Sequence, residues 1–168
     1  METVEEIVAE KTAKTLPNEV IKTIYSRRAV RKYKDKAVPR ELIEQVIEAG
    51  RMAPSAINRQ PWRFYILTDK DEIKRFSKEI VKAGALGFLK SGVKEIVKTA
   101  VGYLHFPKGA EFFREPDPIF HGAPVVIFIA APRDNEWAPL DLGMCCQNMM
   151  LAAKSLGLDS CPIGMAKF

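Results

Sequence analysis

The sequence predicts an α+β fold with helices packed on a sheet, and three of its features lead there. Pro124-Val-Val-Ile-Phe-Ile-Ala-Ala131 is an unbroken apolar run of strand length, the pattern of a strand covered on both faces. The best-defined helical stretch follows it, from about Pro139 to Ser155, with Gly157 placed to end it. Elsewhere helical periods outnumber strand patterns. A central strand with more helix than strand around it belongs to the α+β class.

In chain order, the first element is a short helix capped by Asn18 and running through the second arginine, with Val20, Ile21 and Ile24 on one side. Pro39 suits the first position of a second helix, where its missing N–H is not needed. Leu42, Ile43, Val46 and Ile47 give that helix an apolar stripe, and Gly50 can end it. A turn-rich loop, Ala53 to Pro61, leads into a strand from Arg63 to Thr68. From Asp71 to about Tyr103 the pattern is helical but interrupted by Gly84, Gly87 and Gly92. His105 to Phe120 contains three prolines and no period, and reads as loop.

A chain of 168 residues fits one domain spanning 1–168. With 47% apolar and 28% charged residues, the composition is that of an ordinary soluble globular protein rather than a disordered or low-complexity one. No apolar run approaches the roughly 18–20 residues that span a bilayer, and the N-terminus METVEEIVAE is acidic where a secretory signal is basic. Three cysteines, two of them adjacent, make no simple disulfide framework. The expected location is cytoplasmic, with no membrane partner.

The net charge of +5 is unevenly placed. Between Lys22 and Arg40 stand eight basic residues and one acid, so the rest of the chain carries a net −2. A general nucleic-acid binder spreads basic charge over a face or a whole domain, so no nucleic-acid partner is expected. One short basic segment suits either a solvated loop or a compact anion such as a phosphate.

The ordinary catalytic arrangements are missing from the sequence. His105 and His121 lie 16 residues apart with no second ligand at i+3 or i+4, and there is no C-x-x-C, so no metal is expected. No G-x-S-x-G occurs, and Cys161 lacks any cue for a partner base. The glycine-rich nucleotide fingerprints are absent too. Two loops are left. Arg27-Arg-Ala-Val-Arg31 places three guanidinium groups within five residues, and these either stay in water or meet an anion, whose oxygens their planar forks match. Pro54-Ser-Ala-Ile-Asn-Arg-Gln-Pro-Trp62 carries a hydroxyl and two carboxamides, which fit the mixed donors and acceptors of a heteroaromatic ring edge or else an ordinary solvated turn.

Together and in this order these segments resemble the nitroreductase family of FMN-dependent oxidoreductases. The family's R-R-S-V-R-x-[FY] segment stands here as Arg27-Arg-Ala-Val-Arg-Lys-Tyr33, with Ala29 in place of the usual serine. Its A-P-S-[AG]-x-N-x-Q-P-W is matched in full by Ala53 to Trp62. Its later helix, D-x-G-x-x-x-Q-N-[LM]-x-L-A-A-x-x-L-G-L, is matched from Asp141 to Leu158, and Ser160-Cys-Pro-Ile-Gly164 follows suitably. The resemblance implies a three-layer α-β-α sandwich whose central, mostly antiparallel sheet is flanked by helices. It implies a homodimer with FMN at the subunit interface and the helix from Pro139 forming much of the dimer core. Arg27, Arg28 and Arg31 would hold the FMN phosphate and ribityl chain, with Ala29 offering only its backbone. Pro54, Ser55, Ala56, Asn58 and Gln60 would reach the same flavin from the other subunit. Pro162, Ile163 and Gly164 would lie along the isoalloxazine near its reactive edge.

The activity implied is hydride transfer from NADH or NADPH to flavin N5 and onward to nitro-compounds, quinones or similar small acceptors. No catalytic side chain is then required, because the flavin carries the chemistry. Reductive dehalogenation on the same fold, or flavin binding without turnover in a sensor or storage module, are the alternatives. Family members usually continue some tens of residues further, into a strand that crosses to the partner and often supplies a basic residue. This sequence stops at Phe168. Either that strand lies beyond these 168 residues, or this member lacks the clamp and leans harder on Arg27, Arg28 and Arg31. Substrate choice is expected in the segment from Gly84 to Phe120, because loops on a rigid scaffold carry specificity.

Overall fold

The structure, a computed structural model, describes residues 18–90 and 117–164. Its elements in chain order are α1 (Glu19–Ser26), α2 (Arg40–Arg51), a single 3₁₀ turn (Ala56–Asn58), β1 (Arg63–Leu67), α3 (Lys70–Lys90), β2 (Val126–Ala130) and α4 (Ala138–Ser155). Among the described residues, no helix is long and apolar enough to cross a membrane.

β1 and β2 pair antiparallel, with Arg63 opposite Ala130 and Leu67 opposite Val126. Side chains alternate across a strand, so this register sorts them onto two faces. Phe64, Ile127 and Ile129 pack against the α2 and α4 residues Val46, Cys145, Met149 and Ala153. Leu67, Val126 and Phe128 point the other way, against Ile73 and Ile80 of α3 and the turn residues Ile119 and Phe120. Phe120 meets the Phe128 ring edge-on at 5.9 Å. The sheet therefore lies between α2 and α4 on one side and α3 on the other. These are the three layers that the resemblance implies, and β2 is covered on both faces as its apolar run requires.

Local chemistry explains most of the boundaries. Asn18 caps α1, its side-chain oxygen accepting the Ile21 N–H at 3.0 Å. The helix stops at Ser26, two residues before the expected end, because Arg27 is already extended (ψ 133°) and the Arg28 side chain takes up the last carbonyls. Pro39 sits one residue outside α2, with ψ 138°, and its carbonyl accepts the first helical bond from Leu42. Asp69 caps α3 by accepting the Asp71 and Glu72 N–H groups at 3.0 and 2.8 Å. Gly84 and Gly87, expected as interruptions, lie inside α3, while Gly92 and most of the expected His105–Phe120 loop fall outside the described residues. Asp117 organises the turn before β2, accepting the N–H groups of Phe120 at 3.0 Å and Gly122 at 2.9 Å. Ser77 of α3, fully buried, accepts the Ile119 N–H at 3.3 Å and pins that turn to the helix.

Gly157 ends α4 as expected. Its φ of 77° is left-handed, and Gly157 and Leu158 donate to the carbonyls of Lys154 and Ala153 at 3.1 and 2.8 Å. Gly50 has a different role from the expected one, since α2 runs through it to Arg51. Here α2 crosses so close to α4 that a Cβ on Gly50 would lie 2.6 Å from Met149 Cγ and 3.1 Å from Cys145 Sγ. Both neighbours are buried, so a side chain at position 50 would have to displace them. Gly50→Ala is thus expected to destabilise the fold by about 1–3 kcal/mol through overpacking. Chemical denaturation would show this as a lower midpoint, whereas an unchanged midpoint would mean that the helices part without cost.

Candidate functional site

Two groups of residues singled out in the sequence become two separate constructions in the structure. The first is built where the chain leaves α1. Ala29 forms a parallel bridge with Ser160, and the Val30 N–H donates to the Ser160 carbonyl at 3.1 Å. That pairing brings Arg27–Arg31 alongside Ser160–Gly164. Arg28 turns back, its Nη1 donating to the carbonyls of Tyr25 at 2.5 Å and Arg27 at 2.8 Å. Arg31 is exposed. Arg27 is half-buried, and its Nη1 is buried with no hydrogen-bond acceptor. The Ser160 hydroxyl, on the strand opposite, is also buried without a partner. A buried guanidinium nitrogen without an acceptor carries a large desolvation cost, and an anion placed there removes it.

Beyond the bridge a groove of about 880 Å³ opens, walled by Lys32, Tyr33, Asp159, Cys161, Pro162 and Ile163 on one side and by α4 on another. The Tyr33 phenol is pushed up to about 12, first by burial and then by Cys161 and Asp159, so it remains a neutral hydroxyl. Burial likewise pushes the Cys145 thiol up to about 11. The Cys146 thiol is also raised by burial, against the opposing pull of the Arg27 guanidinium. Both α4 thiols are small packing groups rather than activated nucleophiles. Among the described residues, no cluster of three or more His, Cys, Asp or Glu could hold a metal ion.

The second construction is the loop after α2. Three of its non-glycine residues are left-handed: Ile57 (φ 47°), Asn58 (φ 56°) and Gln60 (φ 46°). Such conformations persist only where surrounding bonds impose them. The Ser55 hydroxyl accepts the Gln60 N–H at 2.9 Å, and the Ser55 carbonyl accepts the Asn58 N–H at 3.0 Å. Gln60 Nε2 donates to Asn58 Oδ1 at 2.9 Å, which leaves the Asn58 amide NH₂ and the Gln60 carbonyl without a partner inside the loop. The loop thus presents amide N–H donors and a carbonyl acceptor, side by side and exposed. Ala56 donates its N–H at 3.0 Å to Oδ1 of Asp141, a fully buried residue in the first turn of α4. Asp141 stood only within a motif in the sequence, and its role as the loop's anchor becomes visible through a contact 85 residues away in the chain.

Within one chain these constructions do not meet. Asp141 holds the loop at the first turn of α4, whereas the Arg27–Arg31 segment is bridged to Ser160 beyond the other end of that helix. None of the residues from Pro54 to Gln60 lines the groove beside Ser160–Ile163. Pro54 instead edges a shallow depression of about 400 Å³ on the outer face of α4, with Leu140, Gly143, Met144 and Gln147. Leu140 there is 57% exposed, as is Ile57 in the loop at 82%.

Comparison with known proteins identifies the class to which this α+β sandwich belongs. The nitroreductase family profile matches residues 24–168, and the chain belongs to that family. It is 32% identical over 170 residues to the chloronitrobenzene nitroreductase of Comamonas testosteroni, the match covering 84% of this chain and 72% of that protein. It is 30% identical to an NAD(P)H-dependent FMN reductase of Bacillus subtilis, covering 89% of this chain and 55% of that one. Among solved structures, a nitroreductase with bound FMN from Bacteroides fragilis superposes with a TM-score of 0.70 at 28% identity, over 89% of this chain and 71% of that one. An FMN-dependent nitroreductase from Clostridium difficile gives 0.67 at 29% identity, and this chain spans 62% of its length.

Proposed function

We propose that this protein is an FMN-dependent oxidoreductase that passes reducing equivalents from NADH or NADPH to nitro-compounds, quinones or similar small acceptors. Residues 1–168 are read as one flavin-binding domain that works as a homodimer. The observation that carries the reading is the buried Nη1 of Arg27, which has no acceptor within the described residues, beside the Ala29–Ser160 bridge. FMN-bound relatives of the same fold support it.

In this reading Arg27 and Arg31 neutralise the FMN phosphate. Arg28 contributes through its remaining guanidinium N–H groups while holding the end of α1. Ala29 contributes only backbone. Pro162, Ile163 and Gly164 lie along the flavin ring. Pro54, Ser55, Ala56, Asn58 and Gln60 come from the partner subunit, with the Asn58 and Gln60 amides meeting the donor and acceptor edge of the ring. FMN held by these residues would supply hydride transfer between the nicotinamide and the second substrate. The chain's own share is to bind, orient and stack, which fixes the distance between reacting groups.

The absorption spectrum of the purified protein, followed by anaerobic NADH or NADPH addition, tests this. Bound flavin that bleaches supports the reading. Bound flavin that does not bleach favours binding without turnover, and a protein that takes up no FMN rejects it. A further expectation follows from hydride transfer without an acid–base residue. His121→Ala and Cys161→Ser should keep the rate of flavin reduction within about tenfold, since losing a general acid or base costs ~10²–10⁴-fold. Stopped-flow reduction of FMN-loaded variants checks it, and a hundredfold loss in either would contradict it.

A further inference from the structure

We infer that Asp141 is the positioning residue of the flavin-contacting loop, setting the geometry of Asn58 and Gln60 without itself touching a ligand. The inference rests on the proposed function for what the loop contacts, but its physical basis is independent of it. Asp141 is fully buried, yet it pairs with neither a basic residue nor a side-chain hydroxyl. Among the described residues, its side chain has one partner, the Ala56 N–H, at 3.0 Å through Oδ1, and Oδ2 is buried with none. A carboxylate in that position is costly, and a purely structural residue there would be apolar. Two features make the charge tolerable. Asp141 lies in the first turn of α4, where the helix dipole favours negative charge, and the Ala56 bond is charge-assisted.

The bond falls where the loop needs it. Ala56 opens the 3₁₀ turn, and the three left-handed residues follow directly at 57, 58 and 60. The remaining loop bonds, from Ser55 to Gln60 and Asn58 and from Gln60 to Asn58, connect the loop to itself. They preserve its shape, and the buried Ala53 and Trp62 hold its two ends in the core but not its middle. Pro54 and Ile57 are not held by the core either, Pro54 being exposed and Ile57 82% exposed. Asp141 Oδ1 is therefore the side-chain anchor that ties a pre-shaped loop to the rigid α2–α4 pair. α4 also packs against α1, the helix that leads into the Arg27 segment.

The test compares Asp141→Ala with Asp141→Asn, which retains the Oδ1 acceptor. Amide hydrogen exchange is read over peptides covering 53–61, over α2 and over β1. The expected result is that Asp141→Ala speeds exchange of the 53–61 peptide by at least about tenfold, the loss of one charge-assisted bond, with α2 and β1 unchanged. Asp141→Asn, whose neutral Oδ1 still accepts the Ala56 N–H, should speed loop exchange clearly less than Asp141→Ala does. FMN and riboflavin affinities should fall together in Asp141→Ala, because the ring edge and not the phosphate is misplaced, and both should fall less in Asp141→Asn. Unchanged loop exchange in Asp141→Ala overturns the inference, and so does faster exchange across the whole molecule in both variants. If wild type binds no flavin, the functional reading fails while the exchange comparison still decides what Asp141 does.

Discussion

Arg27→Ala is expected to weaken FMN binding by about 10–150-fold, the worth of a charge-assisted hydrogen bond, and to leave riboflavin binding within about threefold. The difference between the two ligands is the phosphate alone. Arg27 is singled out from its neighbours by burial. Its Nη1 is removed from water and has no protein acceptor, so the anion it meets is not competing with solvent. Arg31, exposed, should show the same selectivity with a smaller loss, because screening weakens exposed pairs. In Arg28 the Nη1 is already committed to two carbonyls, and its replacement should also loosen the end of α1. Fluorescence titration with both ligands measures this. Equal losses of FMN and riboflavin in Arg27→Ala would show that the guanidinium supports the fold instead.

A flavin-loaded monomer is not expected at any concentration. The Pro54–Gln60 loop is tied to the first turn of α4 and lines none of the groove beside the Ala29–Ser160 bridge, so in the proposed site a single chain offers either the ring edge or the phosphate its partner groups, never both. The surface agrees. α1 buries none of its residues, although Val20, Ile24 and Tyr25 are 63%, 42% and 51% exposed. Leu140 and Pro54 edge the depression on α4. A second copy covering α1 and α4 would bury these side chains, and obligate dimers commonly bury more than ~2,000 Å². Sedimentation followed at the flavin's own absorbance should show a dimer throughout, with dilution releasing flavin and subunits together. Flavin that sediments with a monomer would contradict this.

How much of this was legible in the sequence depended on the range of the interactions. β2 and α4 were readable because their signals are local: an apolar run between turns, and a helical period closed by Gly157. Asn18 was readable as a cap for the same reason. Gly50 was misread because a glycine near a helix end resembles a terminator, whereas its use is set by Met149 and Cys145, about a hundred residues on. Pro39 and the end of α1 were each misplaced by one or two residues, where neighbouring side chains decide the last bond. The arginine segment and the Ala53–Trp62 loop were found through residue type and resemblance. What no local pattern held was that Ser160 faces Ala29, or that Asp141 anchors Ala56, since both pairings depend on how distant segments pack.

The shared site is the central claim, and mixing two disabled chains tests it most directly. One chain carries Arg27→Ala, which removes the phosphate partner. The other carries Asn58→Ala with Gln60→Ala, which removes the ring-edge partners. Neither homodimer should bind FMN tightly. After co-expression, random pairing in a two-fold dimer makes roughly half the dimers mixed, each with one intact site built from the Arg27 of one subunit and the loop of the other. The expected result is that about a quarter of all sites regain wild-type FMN affinity. Recovery of none, with mixed dimers shown to be present, would mean that each site is completed within a single chain.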